Sequence, residues 1–272
     1  MNGNFSIIEK FSCSKTGLES ANEDGIYIGN NIVAVIDGAT SKDGYTLNGK
    51  KGGQLARDII INKLKSYSGL ESMEVFVLGI QKELFLFAER YSIPHYSASM
   101  ILYNSLCGEI WSIGDCQYWL NGVVQKNQKK VDQVYSEARA IALYSFLEAG
   151  YSETDMLEHD LARQQLMPFL QSQKYLENKK VKYGHCVFNG NTPIEEFPIE
   201  MVKVIKVHKN SELVLASDGY PILKGTLNES ERELKRLILE DPLCYKENCS
   251  TKGVAKGNIS FDDRTYVKII VE

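Results

Sequence analysis

Two apolar runs far apart in the chain, VAVIDG at 33–38 and LVLASDG at 213–219, each end on Asp-Gly. Four or more successive apolar or small residues without polar alternation are the pattern of a strand covered on both faces. Each run therefore predicts a buried β-strand that delivers an acid at its carboxyl end. A single Asp-Gly is ordinary turn punctuation, because Gly supplies positive φ and Asp bonds its own backbone. A third run, GEIWSIGD at 108–115, closes on Gly114-Asp115 in the same manner. Three strand ends carrying carboxylates point beyond turns to a shared site.

The order of the remaining elements sets the architecture. Short Ile- and Val-rich runs at 5–13, 25–29 and 31–37 read as strands, and two helical patterns follow at 52–67 and 72–91. SASMILYN, GEIWSIGD and CQYWLNGVVQ then resemble an antiparallel meander with Gly or Asn at each junction. Residues 131–178 turn Glu-, Lys-, Gln- and Leu-rich and predict two or three helices. GHCVFNG, EMVKVIKVH and ELVLASDG return to strands, a helix over 228–241 starts at Asn228 or Ser230, and RTYVKIIV is a last strand. Blocks of strands, helices and strands again argue for α+β with mainly antiparallel sheets. Nothing in 1–272 reads as a linker, so one domain is expected, with a divergent helical segment at about 126–195.

Apolar residues make up 43% and charged residues 24% of the 272, the mix of a folded globular protein, and the net charge of -4 comes with no Lys/Arg cluster. Nucleic-acid binding is not expected on that basis. No signal-peptide pattern opens the chain and no stretch reaches the roughly 18 apolar residues of a membrane span, so no membrane partner is expected and the cytoplasm is the expected compartment. The six cysteines lack zinc spacing or disulfide density and are expected as reduced thiols. Nothing bears on the oligomeric state.

Two more acidic clusters flank strands, Asn22-Glu23-Asp24 before GIYIG and Asp262-Asp263 within FDDRT. If the strands lie side by side these carboxylates converge, and such a cluster persists at neutral pH with cations bound. All-oxygen ligands without His or Cys select hard ions, Mg²⁺, Mn²⁺ or Ca²⁺. No twelve-residue loop collects the acids, which excludes an EF-hand and leaves a polynuclear Mg²⁺ or Mn²⁺ site. Such a pair of ions activates water and neutralises phosphate oxygens without a serine or cysteine nucleophile.

In their order, NEDG (22–25), VAVIDG (33–38), SASM (97–100), WSIGD (111–115), LVLASDG (213–219) and DDRT (262–265) make the chain resemble the PPM family, the type 2C metal-dependent protein serine/threonine phosphatases. The resemblance implies a central β-sandwich of two antiparallel sheets flanked by helices, in α-β-β-α layers, with a metal centre at one end. It implies Asp37 as the acid bridging two Mg²⁺ or Mn²⁺ ions, the Gly38 carbonyl and Glu23 on the second ion, and Asp218 and Asp262 on the first. Asp24 would orient metal-bound water, and Asp115 with Asp218 would hold a third, weaker ion. The implied reaction is hydrolysis of phosphoserine or phosphothreonine in a phosphoprotein by attack of metal-bound water. Asp263 is expected as a solvated neighbour, and Ser97 and Ser99 as small residues packing under the site.

The chain departs from the family at several places. Glu19 stands where relatives place a phosphate-gripping Arg, so Lys15 or another cation must substitute or the substrate is unusual. GDCQ replaces GDSR, a T-x-D-H element is missing, and the stretch DGATSKDGYT after Asp37 offers no general acid. His95 and His159 read as surface or satisfied polar residues. These departures keep two other readings open: a regulatory or binding module that keeps the fold without turnover, and a phosphatase of small phosphorylated metabolites.

Overall fold

The computed structural model describes residues 5–40, 42 and 44–272. Ser41 and Asp43, in the stretch after Asp37 that offers no proton donor by sequence, lie outside them, as do Met1 to Asn4. Chain order runs β1 (Phe5–Cys13), β2 (Gly25–Ile28), β3 (Ile32–Gly38), a small hairpin of β4 (Thr46–Leu47) and β5 (Lys50–Lys51), α1 (Gly52–Ser66) and α2 (Met73–Tyr91). Next come β6 (Ser97–Asn104), β7 (Glu109–Ile113), β8 (Gln117–Leu120), β9 (Val123–Gln125), α3 (Lys130–Glu148), α4 (Glu153–Glu158) and α5 (Leu161–Ser172). The chain finishes with β10 (Phe188–Asn189), β11 (Lys203–Lys206), β12 (Glu212–Ala216), α6 (Leu227–Glu240) and β13 (Arg264–Val271).

Two antiparallel sheets form a sandwich. One is ordered β1-β13-β12-β8-β9 and the other β11-β7-β6-β3-β2, with β10 pairing β6. Strand alternation assigns the faces. Val33 and Val35 of β3 meet Leu213, Leu215, Val267 and Ile269 between the sheets. Ile32, Ala34 and Ile36 face outward onto Ile60 and Leu64 of α1 and Phe76 and Ile80 of α2. On the opposite flank Val214, Ala216 and Tyr266 pack against Leu234 and Leu237 of α6. The α-β-β-α layering follows, and it explains the uninterrupted apolar run before Asp37: β3 is covered on both sides, with Ile32 to Ile36 buried throughout.

Two local expectations are corrected. α6 is capped by Thr226, whose hydroxyl accepts from Glu229 N, so Asn228 and Ser230 lie inside the helix. Ser230 turns its hydroxyl back to the Thr226 carbonyl at 3.0 Å. Of GHCVFNG only Phe188–Asn189 pairs in a sheet, while Asn178 Oδ1 takes Val187 N and Gln81 Oε1 takes Asn189 N. All six cysteines are free thiols, as expected. Among the described residues no helix is long and apolar enough to cross a membrane.

Candidate metal centre

The predicted strand ends meet at one end of the sandwich. Asp37 shares the alternation of Val33 and Val35 and so points between the sheets, where β3 runs out opposite Ser99 of β6. Asp218 follows β12 in the other sheet, and its backbone N–H donates to Asp37 Oδ2 at 3.4 Å. Asp115 follows β7. Its Oδ1 accepts from Ser99 Oγ at 2.5 Å, and Gly114 before it has φ +84°, where a Cβ would stand 2.0 Å from Ser99 Oγ. Glycine is required at that position on both counts. One carboxylate oxygen from each of Asp37, Asp115 and Asp218 lies within 4.8 Å of the other two, and among the described residues no other His, Cys, Asp or Glu group converges in this way.

Gly38 is wedged between Glu23 and α1. A Cβ there would meet the Glu23 and Gly53 carbonyl oxygens at 2.5 Å, and one on Gly53 would meet Gly38 C and O at 2.7 Å and Glu23 Oε1 at 2.9 Å. The Gly52-Gly53 start of α1 is thus what lets the Asp37–Gly38 strand end sit against Glu23.

The carboxylates fall into two groups. Asp37, Asp115 and Asp218 form the first, with Lys129 Nζ on Asp115 Oδ2 at 2.6 Å. Glu23, Asp262 and Asp263 form the second around Lys15, whose ammonium lies 2.9 Å from Asp262 Oδ1, 3.7 Å from Glu23 Oε2 and 3.8 Å from Asp263 Oδ1. Lys252 pairs with the other Asp262 oxygen. Thr40 Oγ1 donates to Glu23 Oε2 at 2.6 Å. The expected grouping of Asp262 with Asp218 and of Glu23 with Asp37 is thus divided in two by a lysine.

Asp263 is not solvated. It is 4% exposed, and its two oxygens accept Lys15 N at 2.8 Å and Glu23 N at 2.7 Å, fixing the loop that carries both residues. Its role lies in contacts across about 240 residues of chain, for which local sequence holds no signal. Glu19 is exposed and does not line the cleft, so its charge is not set against a ligand there. The cations that do line it are mostly lysines, Lys15 among them, with Arg163 of α5.

Burial, and then the charges of Asp24, Asp115 and Asp262, raise Asp37 well above the ordinary aspartate range. Desolvation by the cleft walls also comes first for Asp218, tempered by its exposed edge, followed by Asp37, Asp115 and Asp262. Asp115 goes the other way: burial would lift it, but the Lys129 charge and hydrogen bond hold it below its usual value. Asp262 is likewise depressed, against burial, by Lys252 and Lys15. Asp24, 3% exposed, is pushed up to about 8 by burial. The nearby Ser217 and Thr265 hydroxyls soften that rise without closing hydrogen bonds to it, since Ser217 Oγ accepts from Thr265 N and Thr265 Oγ1 pairs with Ser12 Oγ.

Both Asp24 oxygens and Glu23 Oε1 are buried without a partner among the described residues. An orphaned buried carboxylate is costly, and a hard cation or its hydration shell is what such oxygens fit. The residues present therefore suit a divalent ion.

The centre opens into a cleft of about 1120 Å³ whose far wall comes from α3 to α5 and the segment after them. His95, expected as a surface or satisfied polar residue, is the latter: it lines the cleft with Glu177, its Nε2 3.0 Å from Glu177 Oε2. Ser97 and Ser99 are buried as expected, and they bond to Glu177 and Asp115.

No protein-family model matches the chain, and no curated protein matches it. Solved structures do. PppA of Pseudomonas aeruginosa is 11% identical over 100% of this chain and 99% of its own, with a TM-score of 0.50. A bacterial serine phosphatase is 14% identical over 97% of each chain, also at 0.50. The catalytic domain of the serine/threonine phosphatase PstP, solved with two manganese ions, is 15% identical over 97% and 99%, at 0.49. The chain has the fold of the PPM-type serine/threonine phosphatases.

Proposed function

We propose that residues 1–272 form one phosphatase domain that hydrolyses phosphoserine or phosphothreonine in proteins with Mg²⁺ or Mn²⁺. The reading rests on one observation: Asp37, Asp115 and Asp218, from three strand ends, bring carboxylate oxygens within 4.8 Å of one another beside the orphaned Asp24. Asp37, Asp115, Asp218 and the Gly38 carbonyl would hold a divalent ion, with Glu23 and Asp262 on the adjoining side. When bound, such an ion supplies Lewis-acid stabilisation of phosphate oxygens and lowers the pKa of water.

The chain's own residues supply the rest. Lys129 and Lys252 line the cleft beside the acids and give a phosphate dianion its ammonium partners in place of an arginine fork. The unpartnered Asp24 oxygens, buried outside the cleft lining, would accept hydrogen bonds from a water that reaches them and fix its orientation. The wall formed by α3 to α5 restricts which phosphorylated segment enters. The cytoplasm, where phosphoserine proteins and reduced thiols coexist, is the compartment this reading assigns.

A regulatory module without turnover is the second reading, supported by the lysines already seated on Asp262. The test is release of phosphate from p-nitrophenyl phosphate, a phosphoserine peptide and a sugar phosphate, with and without Mn²⁺, for the wild type and Asp37→Asn. Metal-dependent turnover of the peptide that drops at least a hundredfold in the variant is expected. An inert wild type leaves the module; a preference for the sugar phosphate moves the substrate to small metabolites.

A further inference from the structure

The cation at the centre of the second acidic group is part of the chain. Lys15 is not a mobile surface lysine: its side chain is 15% exposed, its backbone N–H is held by Asp263 Oδ1 at 2.8 Å, and its carbonyl accepts Ile259 N at 2.7 Å. From that fixed origin the ammonium reaches Asp262 Oδ1 at 2.9 Å and Thr40 Oγ1 at 3.0 Å, with Glu23 Oε2 at 3.7 Å. Thr40 in turn donates to Glu23, and Lys252 takes the remaining oxygen of Asp262.

We propose that the Lys15 ammonium is a built-in cation of this site, seated on Glu23 and Asp262 in place of a second divalent ion, so that the chain binds one divalent cation, on Asp37, Asp115 and Asp218. An ammonium offers three donors in a compact point charge, and it fills the space between Glu23 and Asp262 that an ion bridging them would need. A divalent ion entering there must displace Lys15 from a pinned backbone and Lys252 from Asp262, and meets like charge throughout. On the other side Lys129 holds one oxygen of Asp115, but Asp37 and Asp218 carry no lysine among the described ion pairs, and both Asp24 oxygens are buried nearby without a partner. The consequence for the reaction is that one ion and the cleft lysines, rather than two ions, face the phosphate.

The inference shares the phosphatase reading's metal site but not its chemistry, and metal counting separates the two. Wild type, Lys15→Met, Lys15→Gln and Asp218→Asn are equilibrated with millimolar Mn²⁺, and bound metal per chain is measured by elemental analysis after dialysis. One ion in the wild type, two in either Lys15 variant and none in Asp218→Asn are expected. Two ions in the wild type overturn the proposal, as do none, or a folded Lys15 variant that still holds only one. If neither Lys15 variant folds, the wild-type and Asp218→Asn counts decide it alone. A wild type that binds one ion and hydrolyses no ester sinks the phosphatase reading and leaves this one standing; an active wild type with two ions does the reverse.

Discussion

Lys129 Nζ and Asp115 Oδ2 stand 2.6 Å apart at the mouth of the centre, with side chains 16% and 14% exposed. This pair joins the last residue before α3 to the end of β7. It is therefore the point where the helical segment grips the acidic end of the sandwich.

Removing the ammonium leaves a half-buried carboxylate with only Ser99. Lys129→Met should cost the metal-free protein about 1–3 kcal/mol near neutral pH. Asp115 has a depressed pKa in the folded state, so its contribution is present above the unfolded aspartate pKa and lost as pH falls through the lower folded value. Urea melts of both proteins in chelator should therefore show a stability gap that is constant at neutral pH and closes in strong acid. A gap independent of pH would show that the pair contributes packing only.

Asp24 gives the opposite sign. Its pKa is raised by burial to about 8, so ionisation penalises the fold above the unfolded pKa, increasingly up to the folded value. Asp24→Asn removes that penalty. In chelator, the variant's gain over wild type should be larger near pH 9 than near pH 6 by about 1–3 kcal/mol. With saturating Mn²⁺ the gain should shrink or reverse, because the wild-type carboxylate then has a cation beside it. Calorimetric melts across that range are the measurement.

The converging acids were legible because each ends an apolar run whose alternation is dictated by burial, and β3 and β12 lie where those runs put them. The helical periodicity of 131–178 likewise resolves into α3, α4 and α5. The lysines were less legible. Nothing local to Lys15 or Lys252 says that both will meet Asp262, and nothing beside Asp263 says that it will hold the backbone at Lys15 and Glu23. Those are contacts between loops that only the closed sandwich brings together. His95 is the satisfied polar residue expected, but its partner was hidden for the same reason, since Glu177 lies 82 residues away. The strand expected over 184–190 shrank to two residues because its backbone groups are claimed by Asn178 and Gln81 side chains.

Two glycine substitutions should separate close packing from helix propensity. Gly53→Ala places a methyl 2.7 Å from the Gly38 backbone, which cannot give way without moving Asp37. A loss of about 1–3 kcal/mol is expected, with Mn²⁺ binding weakened tenfold or more. Gly79→Ala, inside α2, meets only the end of the Lys63 side chain at 3.3 Å. It should stabilise the protein by about 0.4–1 kcal/mol and leave metal binding unchanged. Chemical denaturation and Mn²⁺ titration of both variants check the contrast.

Arg139 is the deepest cation in the chain, fully buried on α3. Its guanidinium donates to Asp160 Oδ2 at 2.6 and 3.0 Å, to the Leu243 carbonyl at 2.7 Å and to the Ser250 carbonyl at 3.1 Å. It thus ties the helical segment to the loop that delivers Lys252 to Asp262. Arg139→Met keeps most of the volume but strips Asp160 Oδ2 and two carbonyls of their donor, while Asp160 Oδ1 keeps Arg163 N, and should cost about 3–5 kcal/mol. If the loop is positioned through Arg139, the variant should also lose grip on phosphate, raising KM for a phosphopeptide more than it lowers kcat. Equal falls in kcat and in kcat/KM with KM unchanged would mean that Lys252 holds its place without the arginine.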